Sequence, residues 1–341
     1  MRKKIYIGWD IGGANTKICI FTDLLEIKNI VVKNIKIWSN FNDLKFFCIY
    51  ISGLFKDYDI ESFITITAES CDNFKNRNLA IKSIIKCCEL HIAGKKYYYN
   101  NLDKYLSGDE AFISPETLYS TNWMLTYNYL NFTNKYDLII DIGSTTTDFI
   151  YKNMNKTNNI NDNLRLKNKT LLYIGCVRTP VAMFINNINY KNSKISLIKE
   201  LFATSGDIFN ITNDINFENL NYTGADNKPY TKDNSYVRLS RMIGIDYTKS
   251  DKKNIKDIAF QAKEIFLNTI LDNINYLFPN KNNITISSIG EGKKLIRKIC
   301  YDHDIKYKSI YNNEIKICEN CNQELVYANF TCILPVLFFF K

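Results

Sequence analysis

Apolar positions along this chain fall into short runs of period two, broken by glycine turns, and into longer stretches of helical spacing. Ile5–Trp9 reads as a strand, Lys17–Thr22 as a second after a glycine turn, and Ile30–Trp38 as a third. Phe41–Lys56 has helical spacing, Ser62–Thr67 is another strand, and Asn76–Leu90 and the aromatic-rich Asn122–Leu130 are helices. The pattern then begins again: Tyr136–Asp141 is a strand, Gly143–Thr146 a turn and Thr147–Tyr151 a returning strand. Two copies of strand, Asp-Ile-Gly turn and strand therefore lie roughly 130 residues apart, about one domain length. Further on, Thr179–Asn187, a basic Lys232–Ile243 and a long Ile255–Phe278 read as helices. Asn283–Ser288 is a buried strand, and a helix runs from Lys293 to Tyr301. Asn153–Lys169 reads as a solvent-facing insertion or long hairpin without function.

Composition narrows the class. The 341 residues are 46% hydrophobic and 23% charged, which is globular and suits two lobes better than one small core. We place the lobes at residues 1–125 and 126–341. The richness in Asn, Ile, Lys, Tyr and Phe is a coding bias before it is a functional signal. The net charge of +9 comes from scattered lysines, not from a basic stripe, so it argues for an anionic small substrate and against nucleic acid. Met1-Arg2-Lys3-Lys4 leads into a strand and not a signal peptide. The closing CILPVLFFFK is too short to span a bilayer and reads as a buried last element. Ten cysteines then imply reduced thiols in the cytoplasm. The single CxxC, Cys318 to Cys321, lacks the second ligand pair of a structural zinc site.

The chemistry sits in the repeated turns. Glycine lets the backbone turn tightly and approach a ligand, and successive N–H groups there form a nest for anions. In the first turn the candidates are Gly12, Gly13, Ala14, Asn15, Thr16 and Lys17, and in the second Gly143, Ser144, Thr145 and Thr146. Asp10 and Asp141 end their strands beside these turns, and Asp148 closes the second hairpin. Carboxylate against phosphate is repulsive, so a hard cation belongs between them. Mg2+, which binds through one or two carboxylates plus phosphate, suits Asp10, Asp141 and Asp148. A third element, Gly290-Glu291-Gly292, joins a strand to a helix and can present N–H groups to a nucleotide or a second anionic group.

These three segments, GWDIGGANTK, DIGSTTTD and SIGEGKKL, resemble in order and spacing the actin-like ATPase (ASKHA) superfamily. That resemblance implies an α/β, two-lobed, ribonuclease H-like fold. Each lobe would be a mixed sheet flanked by helices, with the active site in the cleft between them. TITAES (Thr65 to Ser70), IGCVRTPVA (Ile174 to Ala182), ATSGDIF (Ala203 to Phe209) and TGADNKPYTKDNSYVRLSRMIGID (Thr223 to Asp246) narrow it. Together they resemble the hydantoinase/oxoprolinase-related family of methanofuran-type cofactor synthesis and the tetrahydromethanopterin-linked one-carbon pathway. Ala68 stands where that pattern has glycine, Cys176 where it has a small or branched apolar residue, and Asn227 where it has another glycine.

The resemblance implies a transferase. The phenol of a (gamma-glutamyl)tyramine would attack an aminomethylfuran-methyl diphosphate, forming an aryl ether and releasing diphosphate, with Mg2+ and the turns stabilising the leaving group. Its partners would be these small molecules, with no nucleic acid and no membrane; a homo-oligomer is left open. A phenol is a poor nucleophile at its ordinary pKa of about 10, so a base is expected. Glu69 and Asp207 are the polar choices beside Asp10 and Asp141. Glu69 can equally bind an amine or cap a turn, and Asp207 can bind an ammonium or cap a helix. Arg178 can clamp phosphate or carboxylate. With Thr179 and Ser205 it makes a candidate substrate wall. Arg238 and Arg241 share one helix face, as a salt-bridged surface or as part of that wall. Two other readings remain: an ATP-dependent small-molecule kinase or ATPase, which the three superfamily segments alone would support, and a non-catalytic sensor or assembly partner.

Overall fold

The structure, a computed structural model, describes residues 3–217, 222–310 and 315–341. Two compact units divide the chain: Met1–Lys135, Ile150–Arg165 and Ile310–Lys341 form one, and Tyr136–Phe149 with Leu166–Ser309 the other. This replaces the single cut expected after residue 125. The chain's end belongs to the first unit because its apolar run finds cover there. Leu334, Pro335 and Val336 are buried, and the Phe339 ring lies 4.5 Å from that of Phe63 and 4.9 Å from that of Tyr97.

In the first unit β1 (Lys4–Gly12), β2 (Asn15–Thr22), β3 (Glu26–Asn34), β4 (Asp59–Thr67), β5 (Lys95–Tyr99) and β6 (Tyr105–Leu106) form a mixed sheet with the short strand Lys316–Ile317. β1 is interior, antiparallel to β2 and parallel to β4, so its side chains read as a near-continuous buried run. Helices Asn42–Leu54 and Arg77–His91 turn Leu44, Phe47, Cys48, Ile51, Ile81, Ile84 and Ile85 into the core beside Ile7, Trp9 and Ile64. The third strand lies four residues earlier than expected. The apolar alternation does continue through Ile35 and Ile37. Their N–H groups, however, donate to the carbonyls of Ala14 (3.1 Å) and Gly13 (2.9 Å), so the chain follows the first turn instead of the ladder. Asn153–Lys169 is not a hairpin and not wholly solvent-facing. It holds a short helix, Asp162–Lys167, and Arg165 is 2% exposed, its guanidinium 4.8 Å from the Trp123 ring.

In the second unit β7 (Leu138–Ile142), β8 (Thr147–Tyr151), β9 (Leu171–Leu172), β12 (Thr285–Ile289) and β13 (Lys306–Tyr307) form a mixed sheet ordered β13-β12-β7-β8-β9. β10 (Asn187–Tyr190) and β11 (Ser193–Ser196) form a separate hairpin. The expected helix over Thr179–Asn187 shrinks to the single turn Val181–Phe184, because the alternating residues after it pair with β11. Ser205–Ile211, Lys232–Arg241 and the long Lys252–Leu277 supply the helical layer. No helix among the described residues is long and apolar enough to cross a membrane.

Candidate active site

The first turn hangs from β1 and β2, in register from Ile5 opposite Thr22 to Ile11 opposite Thr16. At Gly12 glycine is needed for space, not for a left-handed backbone: a Cβ there would lie 2.8 Å from the Asn15 carbonyl oxygen. One on Gly13 would come within 3.0 Å of the Cys71 sulfur. Ala14, Asn15 and Thr16 are buried, while Gly12, Gly13 and Lys17 are partly open. Asp10 sits opposite Lys17 on β2 and Thr65 on β4, and is 5% exposed. Its Oδ2 accepts a 2.5 Å hydrogen bond from the Thr331 hydroxyl. Its Oδ1 is buried and has no hydrogen-bond partner among the described residues. An acceptor-only oxygen left this way fits a cation or an ordered donor, so the residues are compatible with the expected Mg2+.

Two residues beyond β4 lies Glu69, 4% exposed. Ser120 donates its hydroxyl to Oε1 at 2.5 Å, from a backbone held at φ 47°, while Oε2 is buried without a partner among the described residues. Burial pushes this carboxyl up to about 7, against the Ser120 hydrogen bond and a backbone N–H. Asp162 adds to the rise and Arg77 opposes it. A carboxylate poised near neutrality is suited to take a proton at physiological pH.

In the second unit the turn after β7 is enclosed by two other segments. Gly143 N–H donates to Thr146 O at 3.0 Å, Cys176 N–H to Gly143 O at 3.0 Å, and Arg178 N–H to Ser144 O at 2.9 Å. Gly175 fits against Ser144 and Thr145 with no room for a side chain; a Cβ there would lie 2.5 Å from the Ser144 carbonyl carbon. On the other side Gly290, at φ 84°, packs against Asp141 and Ile142, and Gly292 N–H donates to Ile142 O at 3.0 Å. Three stretches far apart in sequence thus meet at one place. Asp141, Ser144, Thr145, Thr146, Asp148 and Glu291 are half-buried there, and the Arg178 side chain is exposed. Tyr222 donates its hydroxyl to Glu291 Oε1.

Four expected site residues of the second unit are scaffold instead. Thr179 and Ser205 are buried, and their hydroxyls donate to the Gly175 carbonyl at 3.1 and 2.7 Å, bracing the loop from behind. Asp207 and Arg238 are each fully buried and paired to one another, Nε to Oδ1 at 2.8 Å, with Asp226 on the other guanidinium edge at 2.8 Å. Thr204 N–H donates to the second Asp207 oxygen at 3.0 Å, so Asp207 completes a capping box with Thr204 at the start of the helix Ser205–Ile211. Burial pushes Asp207 above the ordinary carboxylate range, though Arg238 pulls against it. A carboxylate so committed is no proton acceptor for a substrate, and Arg238 has no edge left for one. Arg241, one turn on, is exposed. The CxxC thiols Cys318 and Cys321 are half-buried. No group of three or more His, Cys, Asp or Glu side chains arranged for a metal ion occurs among the described residues.

Ser120 and Thr331 were invisible in the sequence. They lie 51 and 321 residues from the carboxylates they serve, in stretches with no motif.

A nucleotide-free acetone carboxylase structure aligns over 98% of this chain and 70% of its own, with a TM-score of 0.53 at 9% identity, a likeness of fold alone. The protein has the actin-like ATPase fold. No family model matches the chain. A curated relative from Methanocaldococcus jannaschii, (4-{4-[2-(gamma-L-glutamylamino)ethyl]phenoxymethyl}furan-2-yl)methanamine synthase, is 27% identical over 324 residues, covering 92% of this chain and 94% of that protein. The synthase of the same name from Methanococcus vannielii is 32% identical over 157 residues, 45% of this chain and 71% of that protein. The chain belongs to this synthase family.

Proposed function

We propose that the protein forms an aryl ether by alkyl transfer. It would couple the phenol of a (gamma-glutamyl)tyramine to the methylene of an aminomethylfuran-methyl diphosphate and release diphosphate. The relatives' name describes a product with a phenoxymethyl link to a furan, and making that link requires a phenol oxygen to displace a group from a furan-bearing carbon. The observation that carries the assignment to chemistry in this chain is Glu69: buried, fixed on one oxygen by Ser120, and pushed up to about 7.

In this reading Glu69 takes the phenol proton as the phenol oxygen bonds to the methylene carbon. The carbon–oxygen bond to diphosphate breaks, and its electron pair leaves with the diphosphate. The proton stays on Glu69 until solvent removes it. N–H groups of the Gly12–Lys17 turn, with Lys17, serve the anion in the first unit. Gly143–Thr146, the exposed Arg178 and the Gly290–Gly292 turn are the corresponding candidates in the second. Asp10, through its buried Oδ1, which has no hydrogen-bond partner among the described residues, would hold Mg2+ in the first unit, and Asp141 and Asp148 are the candidates in the second. When bound, the ion supplies positive charge to the leaving diphosphate. The buried Asp207, Thr179, Ser205 and Arg238 keep the second-unit loop in shape.

Incubating purified protein with the furan diphosphate, Mg2+ and either gamma-glutamyltyramine or tyramine should give the ether by mass spectrometry and an equal amount of diphosphate. No ether with either acceptor would sink this reading. Transfer of the γ-phosphate from ATP to a metabolite in the same mixture would replace it with a kinase.

A further inference from the structure

The element that orients Asp10 comes from the far end of the chain, and its fit is built rather than incidental. Phe330, Thr331 and Cys332 form one short turn in which each residue has a separate anchor. Phe330 is buried with its ring 4.9 Å from that of Tyr129. The Cys332 carbonyl lies against Gly8 on β1, where any side chain would collide with it, and the Cys332 thiol donates to Asn329 O at 3.1 Å. Between them Thr331, 3% exposed, donates its hydroxyl to Asp10 Oδ2 at 2.5 Å. A carboxylate can otherwise turn about a broad, two-fold torsion. With Oδ2 tied down, Oδ1 points in one direction, and that oxygen is the one left without a partner among the described residues. Buried polar atoms of this kind call for a specific explanation, and a bound ligand atom is one.

We propose that Thr331 is a positioning residue for the cation site at Asp10: its hydroxyl holds the carboxylate so that Oδ1 faces a divalent ion. The proposal rests on the assignment of Asp10 as a magnesium holder but not on the ether-forming reaction. Groups that orient a metal-binding side chain are commonly worth about 10- to 100-fold in affinity. The Gly8 contact explains why the positioning group can come from so distant a segment: a bare glycine on β1 lets the Cys332 carbonyl seat directly on the strand, two residues from Asp10.

The test uses Mn2+ alone as the probe, followed by loss of the free-ion EPR signal, on the full chain. Thr331→Val keeps the shape and removes the hydroxyl, and Thr331→Ser keeps the hydroxyl. Asp10→Asn is the control. Thr331→Val should weaken Mn2+ binding about 10-fold or more, with Thr331→Ser close to wild type and Asp10→Asn as weak as Thr331→Val or weaker. Melting temperatures measured alongside show whether a variant is folded; if Thr331→Val is not, the Ser variant must still bind like wild type. Wild-type affinity in a folded Thr331→Val, or Mn2+ binding untouched by Asp10→Asn, overturns the proposal. So does a wild-type protein that binds no Mn2+. Weakened Mn2+ binding in a protein that forms no ether would leave the positioning role standing and remove the transferase reading.

Discussion

Replacing Glu69 by Gln should remove one pH-dependent contribution to stability and lower activity. The carboxyl is held at about 7 in the folded protein, against 4.5 in an open chain, because burial disfavours its charge. Its folded pKa is raised, so its stabilising contribution is fully present below about pH 4.5 and is lost as pH climbs through about 7. Linkage with these two values puts the loss between about pH 5 and about pH 8 at roughly 2–3 kcal/mol. Glutamine still accepts from Ser120 and never ionises, and whatever its amide costs at the Oε2 side does not vary with pH. The wild-type-minus-variant difference in unfolding free energy should therefore fall by roughly 2–3 kcal/mol between about pH 5 and pH 8. Paired urea unfolding in matched buffers measures it, since every other titrating group cancels in the subtraction. A difference that stays constant over that range refutes the argument that burial controls this carboxyl. In the ether-forming assay, wild-type kcat/KM should rise with pH to a plateau above about 7. The Gln variant should lose roughly 10²- to 10⁴-fold and the rise itself.

Two further outcomes follow from the second unit. Gly290→Ala should be disproportionate for a single methyl, because φ is 84° and the Cβ would meet the Asp141 carboxylate and the Ile142 carbonyl. We expect weakened diphosphate binding by calorimetry together with a lower melting temperature, and unchanged binding would mean that the turn is not near the anion. Asp207→Asn should cost about 3–5 kcal/mol of stability by leaving Arg238 buried with half its ion pair. At a temperature where the variant remains folded, kcat should be near normal. A stable but inactive variant would return Asp207 to the chemistry.

Much of the frame was legible because it rests on local rules. β7 and β8 were read to within two residues because a buried strand, an Asp-Ile-Gly turn and a returning strand leave little choice. The helices at Arg77–His91 and Lys252–Leu277 followed from spacing alone. Errors arose where a partner distant in sequence overrode the local pattern. Ile35 and Ile37 alternate as a strand does, but bond to the first turn. The helix after Pro180 stops at Phe184, and the chain from Asn187 pairs with β11. A polar residue in a motif carries no label for its role: Thr179, Ser205, Asp207 and Arg238 look like Asp10 and Glu69 until burial and partners are known. The difference is physical. The former have their donors and acceptors matched inside the protein, whereas each of the latter keeps a buried oxygen without a partner among the described residues.

The sequence by itself determined the repeated hairpins, the glycines that crowd them and the carboxylates at the strand ends, since these depend on residues within a few positions of one another. Only the tertiary structure decided that residues 310–341 belong with the first unit, that Ser120 and Thr331 grip Glu69 and Asp10, and that Asp207 is locked to Arg238. Those choices depend on which apolar surfaces bury one another and on which buried charges find a partner, and such pairings act across tens to hundreds of residues where no local pattern records them.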